Sequence, residues 1–470
     1  MMKHKFGIGT ISSIALAVSA NVASGQTASE NPDDGTGKGL VSILDVAPES
    51  YFAFKRMPKY FSDPNMDLET VDGRFFERQY LLGSFGGLRT RMAENGLIFD
   101  AGVTQVFQHK SSGDGDGSAS AGSADIWVAL DTGRAGWWSG GLIVSHMEGN
   151  WGDVLEGTGA LLPLNADATM PSAPDSIALS ELYLVQALPH EFTLIAGKVD
   201  WAGTADTSLF ANNERSQFLH EGLINNAVLG AFVPYTSIGA ALAKQLTPEL
   251  SATLVAFSNN SSATVSGFDT FDLDEFTYAF TMGWMPTFGN LPGNYNFILG
   301  GSNKDVTDFD VDSRYLVGEL IGAVPPAEKT DNYAFTLSAS QYLWVNESTE
   351  RWDGRPAGIG AFFRYGTTPE DRNLIDGFYS LGLGGTIGPF GRSNDSWGIG
   401  WAGTHISSDF RRDADLLGAS VDSMEHAYEG YYSLALTPAI TVSGHIQYVD
   451  PANSSADELT ALSARIQIDF

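Results

Sequence analysis

The sequence predicts an all-β protein: a transmembrane antiparallel β-barrel of about sixteen strands, preceded by a short helical segment. Three observations carry that reading. The final twelve residues, LTALSARIQIDF, place Thr460, Leu462, Ala464, Ile466, Ile468 and Phe470 on one face, and Leu459, Ala461, Ser463, Arg465, Gln467 and Asp469 on the other. A two-residue period belongs to a strand. The apolar face runs to an aromatic last residue, which suits a wall against lipid better than a frayed soluble end. The second observation is an export signal at the N-terminus, and the third is a succession of similar alternating segments from Gly96 onward.

Composition narrows the classes further. None of the 470 residues is Cys, which removes disulfides, thiolate metal sites, Fe–S clusters and c-type haem attachment. Charged residues are 17% of the chain, below the roughly 25% of soluble proteins. A net charge of −30 would repel nucleic-acid phosphates, so no nucleic acid is expected as a partner. The apolar fraction of 43% is too high for a disordered chain.

In chain order, residues 1–25 read as a signal peptide. Lys3, His4 and Lys5 form a basic start, Ile8 to Val18 is apolar but too short to span a bilayer, and the small residues Ala23, Ser24 and Gly25 precede Gln26. Residues 26–80 form an N-terminal arm, acidic and Gly-rich at first, then with aromatics and prolines lacking a clear period. Residues 81–96 contain a short helix, with long-chain residues from Leu88 to Glu94 closed by Asn95-Gly96. Residues 97–470 form the barrel. Leu97, Phe99, Ala101 and Val103 alternate with Asp100, Gly102 and Thr104, and Ile126, Val128 and Leu130 alternate with Asp125, Ala129 and Asp131. Further strands are predicted near 138–147, 177–187, 191–199, 236–246, 249–258, 276–285, 294–303, 331–343, 358–366, 377–387, 396–407, 426–436, 439–449 and 459–470.

The connections alternate in character. Those at LTPEL, around Pro248, and LTPAI, around Pro438, are tight; those at 113–123, 148–176, 269–276 and 304–314 are long and acidic. Short turns at one rim and long polar loops at the other are the expected asymmetry of a membrane barrel. Trp137, Trp138, Trp284, Trp344, Trp397, Trp401, Tyr428 and Tyr432 fall near predicted strand ends, as interfacial girdles do. Asp308, Asp310 and Asp312, like Asp114 and Asp116, stand at alternate positions. A calcium loop of the EF type needs Gly where Ser313 stands. Solvated loops with loosely bound divalent cations are therefore expected, with no metal centre and no cofactor.

Several segments resemble the OprB-type carbohydrate-selective porins. LLGSFGGLRTRMAENGLIFDAGVTQVF (81–107) resembles the family's Gly-Gly-Leu-Arg helix running into a first strand. DTSLFANNERSQFL (206–219), GIGAFFRYG (358–366), GPFGRSNDSWGIGW (388–401), YEGYYSLALTPAITVSGHIQYVDP (428–451) and RIQIDF (465–470) follow in family order. The resemblance covers roughly residues 80–470. It implies a sixteen-stranded barrel in the bacterial outer membrane that passes mono- or small oligosaccharides by diffusion. It also implies lipid and lipopolysaccharide around the wall, and barrel-assembly machinery reading Phe470 as an assembly signal. Association of copies through the wall is left open.

A diffusive sugar pore needs polar chains that replace water around hydroxyls, bound weakly enough for exit. Alternation places Phe362 and Arg364, Glu429 and Tyr431, Gln447, Arg465 and Glu181 on the inner face. These are the expected pore-lining and substrate residues, with Arg364, Glu429 and Arg465 foremost. Arg89 and Arg91 join them if the 81–96 helix folds into the lumen; a periplasmic cap is the alternative. The rival classes are a general or other-solute diffusion porin, which shares the fold, and a soluble carbohydrate-binding β-sandwich. An outer-membrane barrel enzyme is less favoured: His146, His405 and His445 lie on predicted strands, but no G-x-S-x-G nucleophile turn occurs.

Overall fold

The computed structural model describes residue 40 and residues 73–113, 117–170, 175–268, 270–271, 274–389 and 391–470. The expected signal peptide, most of the N-terminal arm, Asp114 and Asp116 lie outside the described residues.

Sixteen long strands follow one another: β1 (Leu97–Lys110), β2 (Ser118–Asp131), β3 (Gly141–Gly152), β4 (Ile177–Leu188), β5 (Phe192–Val199), β6 (Ser237–Thr247), β7 (Leu250–Ser258), β8 (Phe276–Trp284), β9 (Leu291–Ser302), β10 (Asn332–Val345), β11 (Gly358–Thr367), β12 (Ile375–Gly385), β13 (Ser396–Ile406), β14 (Met424–Thr437), β15 (Ile440–Asp450) and β16 (Leu459–Asp469). Each pairs antiparallel with its chain neighbour. β1 also pairs with β16, from Gly102↔Asp469 to Lys110↔Ala461. The predicted seam between first and last strands therefore closes the sheet, and no backbone edge is left to be satisfied in lipid.

The outer face is the lipid wall that the alternation predicted. Leu254, Ile446 and Leu462, each outward on its strand, are 62%, 54% and 48% exposed. Trp284 and Trp344 sit at the ends of β8 and β10, and Trp137 and Trp138 in the 132–140 connection, all exposed at the rim where β1 begins. That rim carries the short turns; the opposite rim carries the long loops, including 153–176, 200–236 and 303–331.

Two strands are longer than their apolar alternation. β2 was expected from Asp125 but starts at Ser118, which pairs with His109, and β3 continues to Gly152. Above the lipid band the ladder needs only backbone bonds, so small polar side chains extend it without an apolar signature.

The helix α1 (Leu88–Glu94) ends where Asn95-Gly96 predicted. Gly96 takes φ of 83°, and a Cβ there would lie 2.6 Å from the Asp131 carbonyl oxygen, so glycine is required. Tyr80 and Ala93 pack with Ile98, Trp127, Val144 and Val185, which are inner-face residues of β1–β4. The helical segment thus packs against the inner wall at the short-turn rim. Among the described residues no helix is long and apolar enough to cross a membrane.

Candidate functional site

The site is built from a loop and the wall that grips it. Residues 200–236, between β5 and β6, fold into the barrel and run along its inner face. Short helices α2 (Trp201–Ala205) and α3 (Glu221–Ile224) give the loop local order. Asp200 caps α2 by accepting from the Gly203 N–H at 2.8 Å.

Three charged wall residues take up backbone groups that such a loop cannot pair by itself. Arg364 on β11 is 0% exposed. Its Nε donates to both carboxylate oxygens of Asp206 at 3.0 and 3.1 Å, and its guanidinium donates to the carbonyls of Ala211, Leu223 and Ile224. Asp206 also accepts from the Asn226 N–H and from Ser338 Oγ, which joins both ends of the excursion to β10 and β11. Glu429 on β14 accepts the Leu219 and His220 N–H groups, each at 2.8 Å, and is supported by His445 Nδ1 and Gln447 Nε2. Arg465 on β16 donates to the carbonyls of Glu214 and Gln217 at 2.7 and 2.8 Å. On the other side of the β1–β16 seam, Arg215 of the loop pairs with Asp125 on β2 and lies 3.6 Å from Asp167.

Aromatic packing seals the same contacts. Phe218 of the loop meets Phe362 and Tyr431 edge-on, with ring centroids 5.6 and 4.9 Å apart, and Phe210 meets Tyr342 at 4.7 Å. Phe210 presses on the wall where β11 and β12 carry Gly360 and Gly384; a Cβ there would lie 2.3 and 2.6 Å from the Phe210 side chain. The neighbouring loop 153–176 is held similarly: Glu425 accepts the Leu161 and Leu162 N–H groups, and Gln447 donates to the Leu164 carbonyl.

A family model for the carbohydrate-selective porins of the OprB family matches residues 88–470. The chain belongs to that family. A structure described as Pseudomonas putida OprB at high pH superposes with a TM-score of 0.74 at 18% identity, over 85% of this chain and 100% of that one. A low-pH structure of the same protein gives 0.51 at 15% identity, over 83% and 98%. Both likenesses bear on the fold. No curated protein sequence matches the chain. Membership and barrel together make this an outer-membrane carbohydrate porin, a channel and not an enzyme.

In this OprB-family barrel the residues expected to line the pore face inward, but their polar ends are spent on the protein itself. Arg364, Glu429, Arg465, Phe362, Tyr431, Gln447 and Glu181 are all buried. Glu181 accepts the Asp200 N–H and lies 3.2 Å from His146 Nδ1. Arg89, also buried, donates to the Phe99 and Phe470 carbonyls and lies 3.9 Å above the Tyr80 ring. Of the nine residues Arg91 alone is exposed. For Arg364, Glu429, Arg465, Phe362 and Tyr431 the reason is the loop, which occupies the space that alternation assigns to solvent. Phe470 donates its N–H to the Ala101 carbonyl, at the seam. Strand alternation gives no sign of Asn213, Ser216, Glu221 and Asn225, four of the polar loop residues that keep partial exposure; the one signal in the sequence is the polar run NNERSQ beside two buried phenylalanines.

The acidic outer loops also use their charges internally. Lys329 pairs with Asp308 and Asp371 at 2.8 and 2.9 Å, while Asp312 caps the helix α4 (Ser313–Leu320) by accepting from the Arg314 and Tyr315 N–H groups. Arg412, on α5 (Ser408–Leu416), pairs with Asp409 and donates to the Phe309 carbonyl. The hydrogen bond from Arg372 holds the Asp371 carboxyl down to about 2. Asp308 and Asp312 thus have protein partners, and Asp310 lies 3.9 Å from Lys329 Nζ.

Proposed function

We propose that this porin passes neutral mono- and small oligosaccharides by passive diffusion along the polar edge of the inward loop. Asn213, Ser216, Glu221 and Asn225 contact solute there, and Arg364, Glu429 and Arg465 fix the loop. The observation that carries this reading is the attachment of one polar loop to several wall strands through buried, fully engaged charges. Such a loop narrows the barrel at a fixed place and presents polar side chains at its partly exposed edge, as weak recognition of hydroxyls requires. The chain resides in the bacterial outer membrane, with Phe470 as the element read during assembly. Liposome swelling with neutral sugars of graded size, against charged amino acids of similar size, tests the reading. Faster swelling with sugars is expected, and Glu221→Gln and Asn213→Ala weaken sugar block of conductance. Equal rates for both solute classes would mark a general diffusion porin.

A further inference from the structure

On one side of β1 the ladder stops short. β1 and β16 pair down to Gly102↔Asp469, and the Phe470 N–H still reaches the Ala101 carbonyl, but β1 itself begins at Leu97. The stretch of chain running into α1 fills the notch that this leaves in the wall. The Leu81 N–H donates to the Asp469 carbonyl at 2.8 Å, and Arg89 donates to the Phe99 and Phe470 carbonyls at 2.7 and 2.6 Å. Both strands of the seam are thus bridged by one short segment, and backbone acceptors at the end of the ladder find donors there. The segment has two sides. Tyr80 is fully buried among inner-face residues. Phe85 packs instead on Phe99, with ring centroids 5.7 Å apart, and Phe99 stands opposite Val128 on the outer face of β1 and β2.

The outward side carries apolar groups that the protein does not cover. Leu82, Phe85 and Leu88 are 51%, 40% and 44% exposed, and Phe76 is 69% exposed. Phe85 also holds φ of 51°, a left-handed backbone that a bulky side chain rarely adopts. A half-exposed ring recovers little of that strain within the protein, so a partner outside it accounts for the position. Charge gives a second, independent indication. Acidic residues outnumber basic ones 56 to 26 in the whole chain, yet Arg74, Arg78, Arg89 and Arg91 fall close together with Glu77 the one acidic residue among them. Arg351, Arg372 and Arg412 each pair with an aspartate. Arg74, Arg78 and Arg91 have no ion pair among the described residues, and the Arg78 guanidinium lies 5.3 Å over the Phe75 ring. Arginines beside exposed phenylalanine and leucine, at the rim where Trp137 and Trp138 are exposed, match a headgroup layer: apolar side chains enter the acyl boundary and cations meet phosphates.

We propose that residues 74–91 form an anchoring surface for anionic phospholipid at the short-turn rim, the periplasmic side of an outer-membrane barrel. Leu82, Phe85 and Leu88 continue the lipid face of Phe99, and Arg74, Arg78 and Arg91 bind headgroup phosphates. The site is independent of which solute the pore passes. Because the chain has no Cys, Phe85→Cys and Leu88→Cys can each carry a single nitroxide in the full barrel, with Ser455→Cys on the outer 451–458 connection as the reference. The labelled barrels are reconstituted in phosphatidylcholine vesicles with and without phosphatidylglycerol. Both rim labels are expected to collide more with oxygen than with a water-soluble nickel chelate, the reverse of Ser455→Cys. In native mass spectrometry the barrel is expected to retain phosphatidylglycerol over phosphatidylcholine. Arg74→Gln, Arg78→Gln and Arg91→Gln combined should cut that preference at least about fivefold, the worth of one cation at an anionic surface. Heat-modifiable electrophoretic mobility checks that each variant remains a folded barrel. Rim labels as open to the chelate as Ser455→Cys, rim labels shielded from both reagents by a second copy, or an unchanged lipid preference in the triple variant would each overturn the anchor.

Discussion

Inside the barrel, Arg364 and Asp206 pair at 3.0 Å with 0% and 3% of their side chains exposed; on the outer loops, Arg412 and Asp409 pair at 2.9 Å with 42% and 19% exposed. The distances are nearly the same, and the energetic meaning is not. Water screens the outer pair and takes over its hydrogen bonds when it breaks. The inner pair has no such substitute: removing one partner leaves a buried charge and several carbonyls without donors. The comparison teaches that the loop inside the barrel is held by bonds that are costly to lose. The outer loops of the same chain are held by bonds that are nearly free to exchange.

The largest expected effect comes from removing the inner cation. Arg364→Ala destabilises the loop attachment by about 3–5 kcal/mol, while the backbone ladder of the wall is untouched. The barrel stays folded, single-channel conductance rises and sugar block weakens. Planar-bilayer recordings showing unchanged conductance and block would break the comparison. Glu429→Gln should come next, at about 1.5–3 kcal/mol. The amide keeps one carbonyl acceptor but loses the charge that strengthens the Leu219 and His220 contacts, so a smaller rise in conductance is expected. Gly360→Ala pushes a methyl group into Phe210 and should cost about 1–3 kcal/mol. It is read as faster proteolysis between residues 200 and 236, and Phe210→Leu in the same chain is expected to reverse part of it.

On the outer loops the effects shrink. Lys329→Ala should change stability by about 1 kcal/mol or less and leave conductance as it is; a change as large as that of Arg364→Ala would erase the contrast. The smallest effect is a pH dependence. Because Arg372 holds the Asp371 carboxyl down to about 2 in the folded chain, against about 3.9 for a free aspartate, its contribution is complete above the free value. It is lost as pH falls from there through about 2. Pepsin digestion across that window should cut the 303–331 loop progressively faster, and Asp371→Asn should flatten the trend.

Alternation made much of this molecule legible in the sequence. The sixteen strands, the β1–β16 seam, the exposed tryptophans at the short-turn rim and the inward direction of Arg364, Glu429 and Arg465 all follow from a period of two and the position of turns. The start of β2 was missed because Ser118 to Ser123 carry no apolar alternation, although their backbone bonds continue. The loop was missed for a deeper reason. Its segment from Asp206 to Asn226 has no period, and its partners Arg364, Glu429 and Arg465 lie far away in the chain.

What the sequence determined by itself was the wall, because each strand's two faces are set by local alternation and by the contrast between lipid and lumen. What only the tertiary structure decided was how the lumen is filled. An inward-facing arginine looks the same in sequence whether it meets water, a sugar or a carbonyl. Arg364 becomes an anchor only because a loop more than a hundred residues earlier brings Asp206, Ala211 and Ile224 to it, a long-range contact that no local pattern encodes.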